Sequence, residues 1–371
     1  MKPIPITTFD RAERLADINY VANTASTLPT SGGVISDPRY LTALQIRLEG
    51  RVTMPGAGGP AALTADGIAQ LIEKITVRGF HRIRSRNEAF YDKRGADAKY
   101  DADLFTLGNL PSLPATWNFA VNATNDFRVN FFVPFYPLGF PMSEQLSYIV
   151  DTPNYDNLQL VIQWGDAASV FATNGNTVTL SAYGSAVGTP TAHVVARWAL
   201  GGPSKFANFV PGRIFKYFTE VTGSIPTTTA TNVYLQQIPR GNLIRSISVK
   251  TGVKSANVSG GNNAYTSLSD TILANIKTQL GTNYNIRYFP HQQDIGVENA
   301  VKKGFPYVPG RALLDFAPNG ALAEMLDLRG KQAGGTAQTD AAMLADVTGA
   351  ASQAITFGWE ELQAFPMGRL Q

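Results

Sequence analysis

The sequence predicts an all-β protein made of two β-sandwich domains in tandem. Three observations carry that expectation. Apolar and polar residues alternate in run after run, which is the period of a half-buried strand. The runs are short and are punctuated by 34 glycines and 22 prolines, with few segments of helical period. The runs also recur in the same order in the two halves of the chain, whose 371 residues are many for one core and suit two.

Taken in order, residues 1–38 read as an N-terminal arm. A weakly amphipathic stretch, Thr8 to Val21, precedes a linker-like run of Thr, Ser, Gly and Pro from Thr24 to Pro38. An arm of this kind is either disordered or laid on a neighbour. The first domain spans residues 39–202. It opens on YLTALQIRLEGRV (Tyr40–Val52), where Leu44, Ile46 and Leu48 alternate with Gln45, Arg47 and Glu49. Leu71 to Gly79 is the next strand. Residues 87–116 form a polar excursion with one short helix near Asn87 to Lys93.

The aromatic-rich stretch Phe127 to Trp164 then reads as strand, two-turn helix, turn, strand. Phe127, Val129, Phe131 and Val133 make the first strand, and Pro134 and Pro137 end it. Ser143 offers an N-cap for a helix to Val150. Leu158, Leu160, Ile162 and Trp164 share one face of the second strand. Val178–Tyr183 and Ala192–Leu200 complete the domain.

The second domain, residues 203–371, opens with strands at Arg213–Thr222, Val233–Ile238 and Leu243–Thr251. TILANIKTQL (Thr271–Leu280) has its apolar residues spaced as on a helix and is the strongest helix candidate in the chain. The rest runs through Phe305, Phe316 and Phe357 to Gln371.

Four matches between the halves support a duplication. LIEKITVR (Leu71–Arg78) pairs with LIRSISVK (Leu243–Lys250), and Ser143–Leu146 pairs with Ala323–Leu326. Asp156, Leu160, Gly165 and Ala167 pair with Asp340, Leu344, Gly349 and Ala351, and His193–Trp198 pairs with Ala354–Trp359. The offsets drift by loop lengths while the order holds.

Two tandem sandwiches, each with a short helix before its last strands, resemble the double jelly-roll major capsid proteins of icosahedral viruses of the tectivirus and adenovirus lineage, bacteriophages included. The likeness rests on Phe131–Trp164 and Leu313–Trp359 and covers roughly residues 40 to 371. It implies two eight-stranded jelly rolls with short helices in the loops. It further implies a homotrimer with a pseudo-hexagonal outline that tiles an icosahedral shell through lateral capsomer contacts. Other capsid proteins would meet it at the vertices, and the arm would face inward, often toward an internal membrane. The protein would be made in the host cytoplasm and reside in the virion capsid. The family brings no catalytic residues, so Phe131, Phe135, Tyr136, Trp164, Trp198, Phe316 and Trp359 are expected as core or interface residues.

Composition agrees with a structural role. Charged residues make up 16% of the chain, against roughly 25% in an average soluble protein. That fits a surface partly buried against other subunits. No run of 18 or more apolar residues is present. The net charge of +3 is spread along the chain, so no specific nucleic-acid partner is expected. The densest basic stretch, RGFHRIRSR (Arg78–Arg86), reads as a strand end and loop. There is no cysteine, and the three histidines, His81, His193 and His291, lie about a hundred residues apart without helical metal-ligand spacing. His291 with Asp294 is a local pair of the kind that binds metal, but it reads as an ordinary loop. No metal and no cofactor is therefore expected. Glu360 and Glu361 are strand neighbours and cannot serve one site, whereas a distant carboxylate pair such as Asp101 and Asp315 stays open. The competing readings are a carbohydrate-binding or carbohydrate-active β-sandwich, with tryptophans 117, 164, 198 and 359 lining a groove, and a non-viral structural or adhesive protein.

Overall fold

The structure is a computed structural model. It describes residues 11–28, 40–57, 62–82, 85–105, 114, 116–136, 150–199, 213–254, 265–267, 272–321, 324–328, 341–349 and 353–364. Residue 65 and the short turns 153–154, 174–176, 225, 239–241, 281–283 and 304–309 are excepted. The chain forms two compact units, one covering Met1–Ile214 and the other covering Phe215–Lys254 and Tyr265–Gln371.

The first unit begins inside the segment expected as an arm. Strands β1 (Arg11–Arg14), β2 (Ile18–Asn19) and β3 (Ala25–Leu28) are followed by β4 (Tyr40–Thr53), β5 (Ala62–Leu63), β6 (Ile72–His81) and β7 (Arg86–Arg94). Helix α1 (Gly95–Phe105) leads to β8 (Thr124–Pro134), β9 (Val150–Asp151) and β10 (Tyr155–Trp164). A single helical turn α2 (Ala167–Val170) precedes β11 (Phe171–Thr173), β12 (Thr179–Ser181) and β13 (Thr191–Ala199).

One sheet runs β1–β13–β4–β8, with β2, β9 and β12 on its margins, and the other includes β3–β10–β6–β7. With β1 and β2 taken as one strand, the eight main strands are ordered first, last, third, sixth in one sheet and second, seventh, fourth, fifth in the other. That is the double Greek-key order of a jelly roll. Residues 11–28 therefore belong to the sandwich itself. Arg11 to Arg14 pair with Trp198 to Val195, and Ala25 to Leu28 pair with Gln163 to Leu160. The run was legible only as an arm because its three strands are short, and its apolar anchors, Ile18, Tyr20 and Leu28, are widely spaced.

The second unit repeats the plan. Its strands are β14 (Arg213–Ser224), β15 (Ala230–Ile238), β16 (Leu243–Lys254), β17 (Tyr265–Ser267), β18 (Leu273–Leu280) and β19 (Tyr284–His291). After helix α3 (Gln292–Lys303) come β20 (Arg311–Asp315), β21 (Leu326–Asp327), β22 (Ala341–Val347) and β23 (Gln353–Ala364). One sheet holds β14–β23–β16–β20 and the other β15–β22–β18–β19. This is again first, last, third, sixth and second, seventh, fourth, fifth. In both units a helix of three turns (α1 or α3) joins the fifth strand to the sixth.

Each sandwich is closed by inward-facing apolar residues. Leu44, Ile46, Phe131 and Val194 lie on one sheet of the first unit and Ile75, Val77, Leu160 and Ile162 on the other, all buried. In the second unit Ile247, Val249, Leu314 and Phe357 form one core with Ile276, Met343 and Ala345.

Three expectations are corrected. Asn87–Lys93 is not a helix but lies in β7, and the helix follows it at Gly95–Phe105. A bulge opposite Val77 and Arg78 breaks the alternation, so Phe90 and Tyr91 are both buried. Thr271–Leu280 is not a helix either: Leu273–Leu280 is β18. Asn275 sits at φ 48°, and pairing with β22 slips between Ala274 and Lys277. The inserted residue brings Leu273 and Ile276 to the same buried side at a spacing of three, which imitates a helix. Finally, LIEKITVR and LIRSISVK are not equivalent, since the former lies on the fourth strand of its jelly roll (β6) and the latter on the third (β16). Every core strand carries that alternation, so the pattern alone cannot tell them apart. Leu160 and Leu344 do fall on equivalent seventh strands, and His193–Trp198 and Ala354–Trp359 on equivalent last strands, although Leu160 points into the core and Leu344 is half-exposed; Asp340 and Ala351 lie outside the described residues. Of the helix expected at Ser143–Val150, residues 143–149, with Ser143–Leu146 of the duplication, lie outside the described residues, and Val150 begins strand β9.

Candidate functional site

The aromatic candidates divide by what they touch. Phe131, Phe135, Trp164 and Trp198 are buried in the first unit. Trp164 is held on two sides: its Nε1–H donates to Ser26 Oγ at 2.9 Å, and Tyr20 packs edge-on at 5.4 Å. Both partners come from residues 11–28, so the segment completes the core around this indole. Phe135 meets Phe90 edge-on at 6.3 Å, and half-buried Tyr136 meets Phe132 at 6.5 Å. In the second unit Phe316 is buried and Trp359 packs, partly covered, against the same core. Trp117 stacks on Phe119. With Trp164 and Trp198 enclosed, the four tryptophans do not line one groove.

The histidines are equally separate. His81 is buried edge-on against Tyr155, whose hydroxyl donates to Glu88 Oε2 at 2.7 Å. His291 ends β19, and its backbone N–H donates to Asp294 at 2.9 Å, so that carboxylate serves the start of α3. Among the described residues no group of three or more His, Cys, Asp or Glu side chains is arranged to hold a metal ion. Glu360 pairs with Arg245 at 2.7 Å in the interior, and Glu361 is buried as well. Asp315 accepts from the Ala317 N–H, while the side chain of Asp101 lies outside the described residues. The basic run Arg78–Arg86 takes in the end of β6 and the first residue of β7, and Arg82 binds Asp156 at 2.6 Å.

His193 is different, and sequence reasoning placed it only as a strand residue. Its Nδ1 lies 2.9 Å from Asp17 Oδ1 and its Nε2 lies 2.9 Å from Glu49 Oε1. The guanidinium of Arg14 also comes within 3.3 Å of the same Nδ1, so the ring sits among two carboxylates and an arginine. Arg14 binds the other oxygen of Asp17 at 2.7 Å, and Arg128 and Arg47 approach Glu49 Oε2 at 3.2 and 3.3 Å. Burial raises both carboxyls. The hydrogen bonds with His193, with Arg14 on Asp17 and Arg128 on Glu49, outweigh it and hold both below the ordinary carboxylate range. The clamp ties the N-terminal strands to β13 and β4. Since Asp17 lies 176 positions before His193, no local motif announces it.

These features define a duplicated fold: two jelly rolls with most of the candidate aromatic residues buried in their cores. No protein-family model matches the sequence, and no curated protein matches it. Solved structures with the double jelly-roll architecture do. The crystal structure of the STIV MCP superposes with a TM-score of 0.68 at 12% identity, over 95% of this chain and 96% of that one. The major capsid protein P2 of bacteriophage PM2 gives 0.57 at 11% identity, over 96% and 99%. The PBCV-1 virus capsid protein gives 0.54 at 13% identity, over 95% and 93%. The fold is thus that of the double jelly-roll capsid proteins, across nearly the whole of each chain.

Proposed function

We propose that this chain is a major capsid protein, a structural subunit that trimerises into pseudo-hexagonal capsomers and tiles an icosahedral virus shell. The observation that carries the reading is the exact repetition of strand order in two units, because a duplicated sandwich lets three chains fill a six-neighbour position. Similarity of fold to viral capsid proteins over nearly the whole chain supports it, as do the low charge content and the burial of Phe131, Phe135, Trp164, Trp198 and Phe316 in cores. The role is structural, its site of action is the virion, and its partners are other copies of itself and vertex proteins. Purified protein should run as a trimer or larger by light scattering, and electron micrographs should show hexagonal arrays or shells. A persistent monomer at high concentration would overturn the proposal.

A further inference from the structure

We infer that the outer face of the β1–β13–β4–β8 sheet binds a carboxylate-bearing sugar of the uronate or sialate kind, in the hollow where Arg14, Arg47 and His193 converge. The inference does not depend on the capsid reading, and either can fail alone.

The register builds the hollow. Arg14 lies opposite Val195, Val195 opposite Gln45, and Gln45 opposite Phe132, which makes one row across four strands. The next row is His193, Arg47 and Asn130. Valine is the short member of its row, so the longer side chains around it wall off a cavity of about 320 Å³. That size is within the usual range of small-ligand pockets, roughly 300–1,000 Å³.

Charge selects the ligand. Two carboxylates, Asp17 and Glu49, face the guanidinium groups of Arg14, Arg47 and Arg128 together with His193. Glu49 alone is shared by two arginines and the imidazole. The surplus is positive but small, which suits a singly charged carboxylate better than a doubly charged phosphate. Arg47 and Arg14 remain 48% and 65% exposed and can both reach a ligand. The remaining lining serves the body of a sugar. Arg197 donates to Gln45 Oε1 at 3.0 Å, so the NH2 end of that amide is the donor for a hydroxyl. Asn130 adds a second amide, and Phe132 with Val195 supplies an apolar wall for a ring face. A compact hollow suits a single ring better than an extended peptide.

The test is calorimetric titration of the full chain with glucuronate and with N-acetylneuraminate. Glucose and a short Glu-rich peptide are the comparators. Saturable binding of at least one acidic sugar, without binding of glucose, is expected. Arg47→Gln should weaken it by about tenfold or more, the loss of a charge-assisted hydrogen bond. Arg82→Gln, on the other sheet, should leave it unchanged. Because Arg47 and Arg14 are both exposed, Arg14→Gln provides a second variant if the first does not fold. Absence of acidic-sugar binding, equal binding of glucose, or full affinity in both arginine variants would overturn the inference. Binding of the peptide alone would do the same, and would point to a protein partner.

Discussion

The two jelly rolls share one strand order but place their charges differently on the same sheet. In the first unit, charges of the first-last-third-sixth sheet stand partly open in ladders, Arg51 with Asp126 at 2.7 Å and Arg128 with Glu49 at 3.2 Å. In the second, the corresponding sheet encloses Arg245 and Glu360, 2% and 3% exposed, at 2.7 Å. Arg245 is the extra residue of a bulge, since pairing with β23 slips between Ile244 and Ser246. Framework and surface are therefore set separately. Inward positions keep the strand order, while outward and bulged positions adapt each unit to its own surroundings.

The largest expected effect breaks this contrast directly. Glu360→Ala leaves a buried guanidinium without its carboxylate and should cost about 3–5 kcal/mol in denaturant unfolding. Asp126→Ala removes a surface partner and should cost about 0–1 kcal/mol. Replacing Arg245 and Glu360 together by Met and Leu should recover most of the loss, because a packed apolar pair avoids the desolvation of both charges. Equal losses for Glu360→Ala and Asp126→Ala would show that burial does not distinguish the two sheets.

A smaller effect tests the likeness rather than the difference. Gly165 and Gly349, paired in the duplication, both follow the seventh strand of their jelly roll. A Cβ on Gly165 would sit 2.5 Å from the Gln70 carbonyl oxygen, and one on Gly349 would sit 2.3 Å from the Thr228 carbonyl carbon. Each obstacle is backbone and cannot swing aside. Gly165→Ala and Gly349→Ala should each destabilise by about 1–3 kcal/mol, read as a drop in melting temperature. A neutral outcome at either position would mean that the close approach is not a shared device.

Smaller again is the cost of the asparagine bulges, and here the limits of sequence reading are visible. Long alternating strands such as Tyr40–Thr53 and Thr124–Pro134 were legible because period two survives along their whole length. Asn157, Asn232 and Asn275 all sit at positive φ, each beside a register slip. Where the period breaks, a strand reads as something else, as Leu273–Leu280 did. The short N-terminal strands were missed for a different reason: each is too short for period two to show. The Asp17–His193–Glu49 clamp was hidden because its members lie far apart in sequence. Asn275→Ala should cost about 1 kcal/mol more than Asn275→Gly, the penalty of left-handed backbone for an ordinary residue. Both lose the 2.6 Å hydrogen bond to Asp346, so the difference between them isolates the backbone contribution in parallel melts.

Acid separates the units most finely. Asp17 and Glu49 are held below the ordinary carboxylate range in the first unit. Asp346 is held low in the second, by hydrogen bonds from the Asn275 side chain and the Asn232 backbone. A carboxyl whose folded pKa is depressed adds stability above its unfolded value. It loses that contribution as pH falls through the folded value. All three therefore stabilise at neutral pH and fail below about pH 4. The consequences differ by location, because Asp17 anchors the N-terminal strands to β13 through His193 whereas Asp346 ties two bulges within one sheet. On acidification, amide exchange in residues 11–19 should lose protection before the core strands β4 and β13. His193→Gln should lower protection of that segment at neutral pH, and it should flatten the acid dependence, because Asp17 and Glu49 would then have less stabilisation to lose. Identical exchange profiles for wild type and His193→Gln across the acid range would show that the clamp does not hold the N-terminal strands in place.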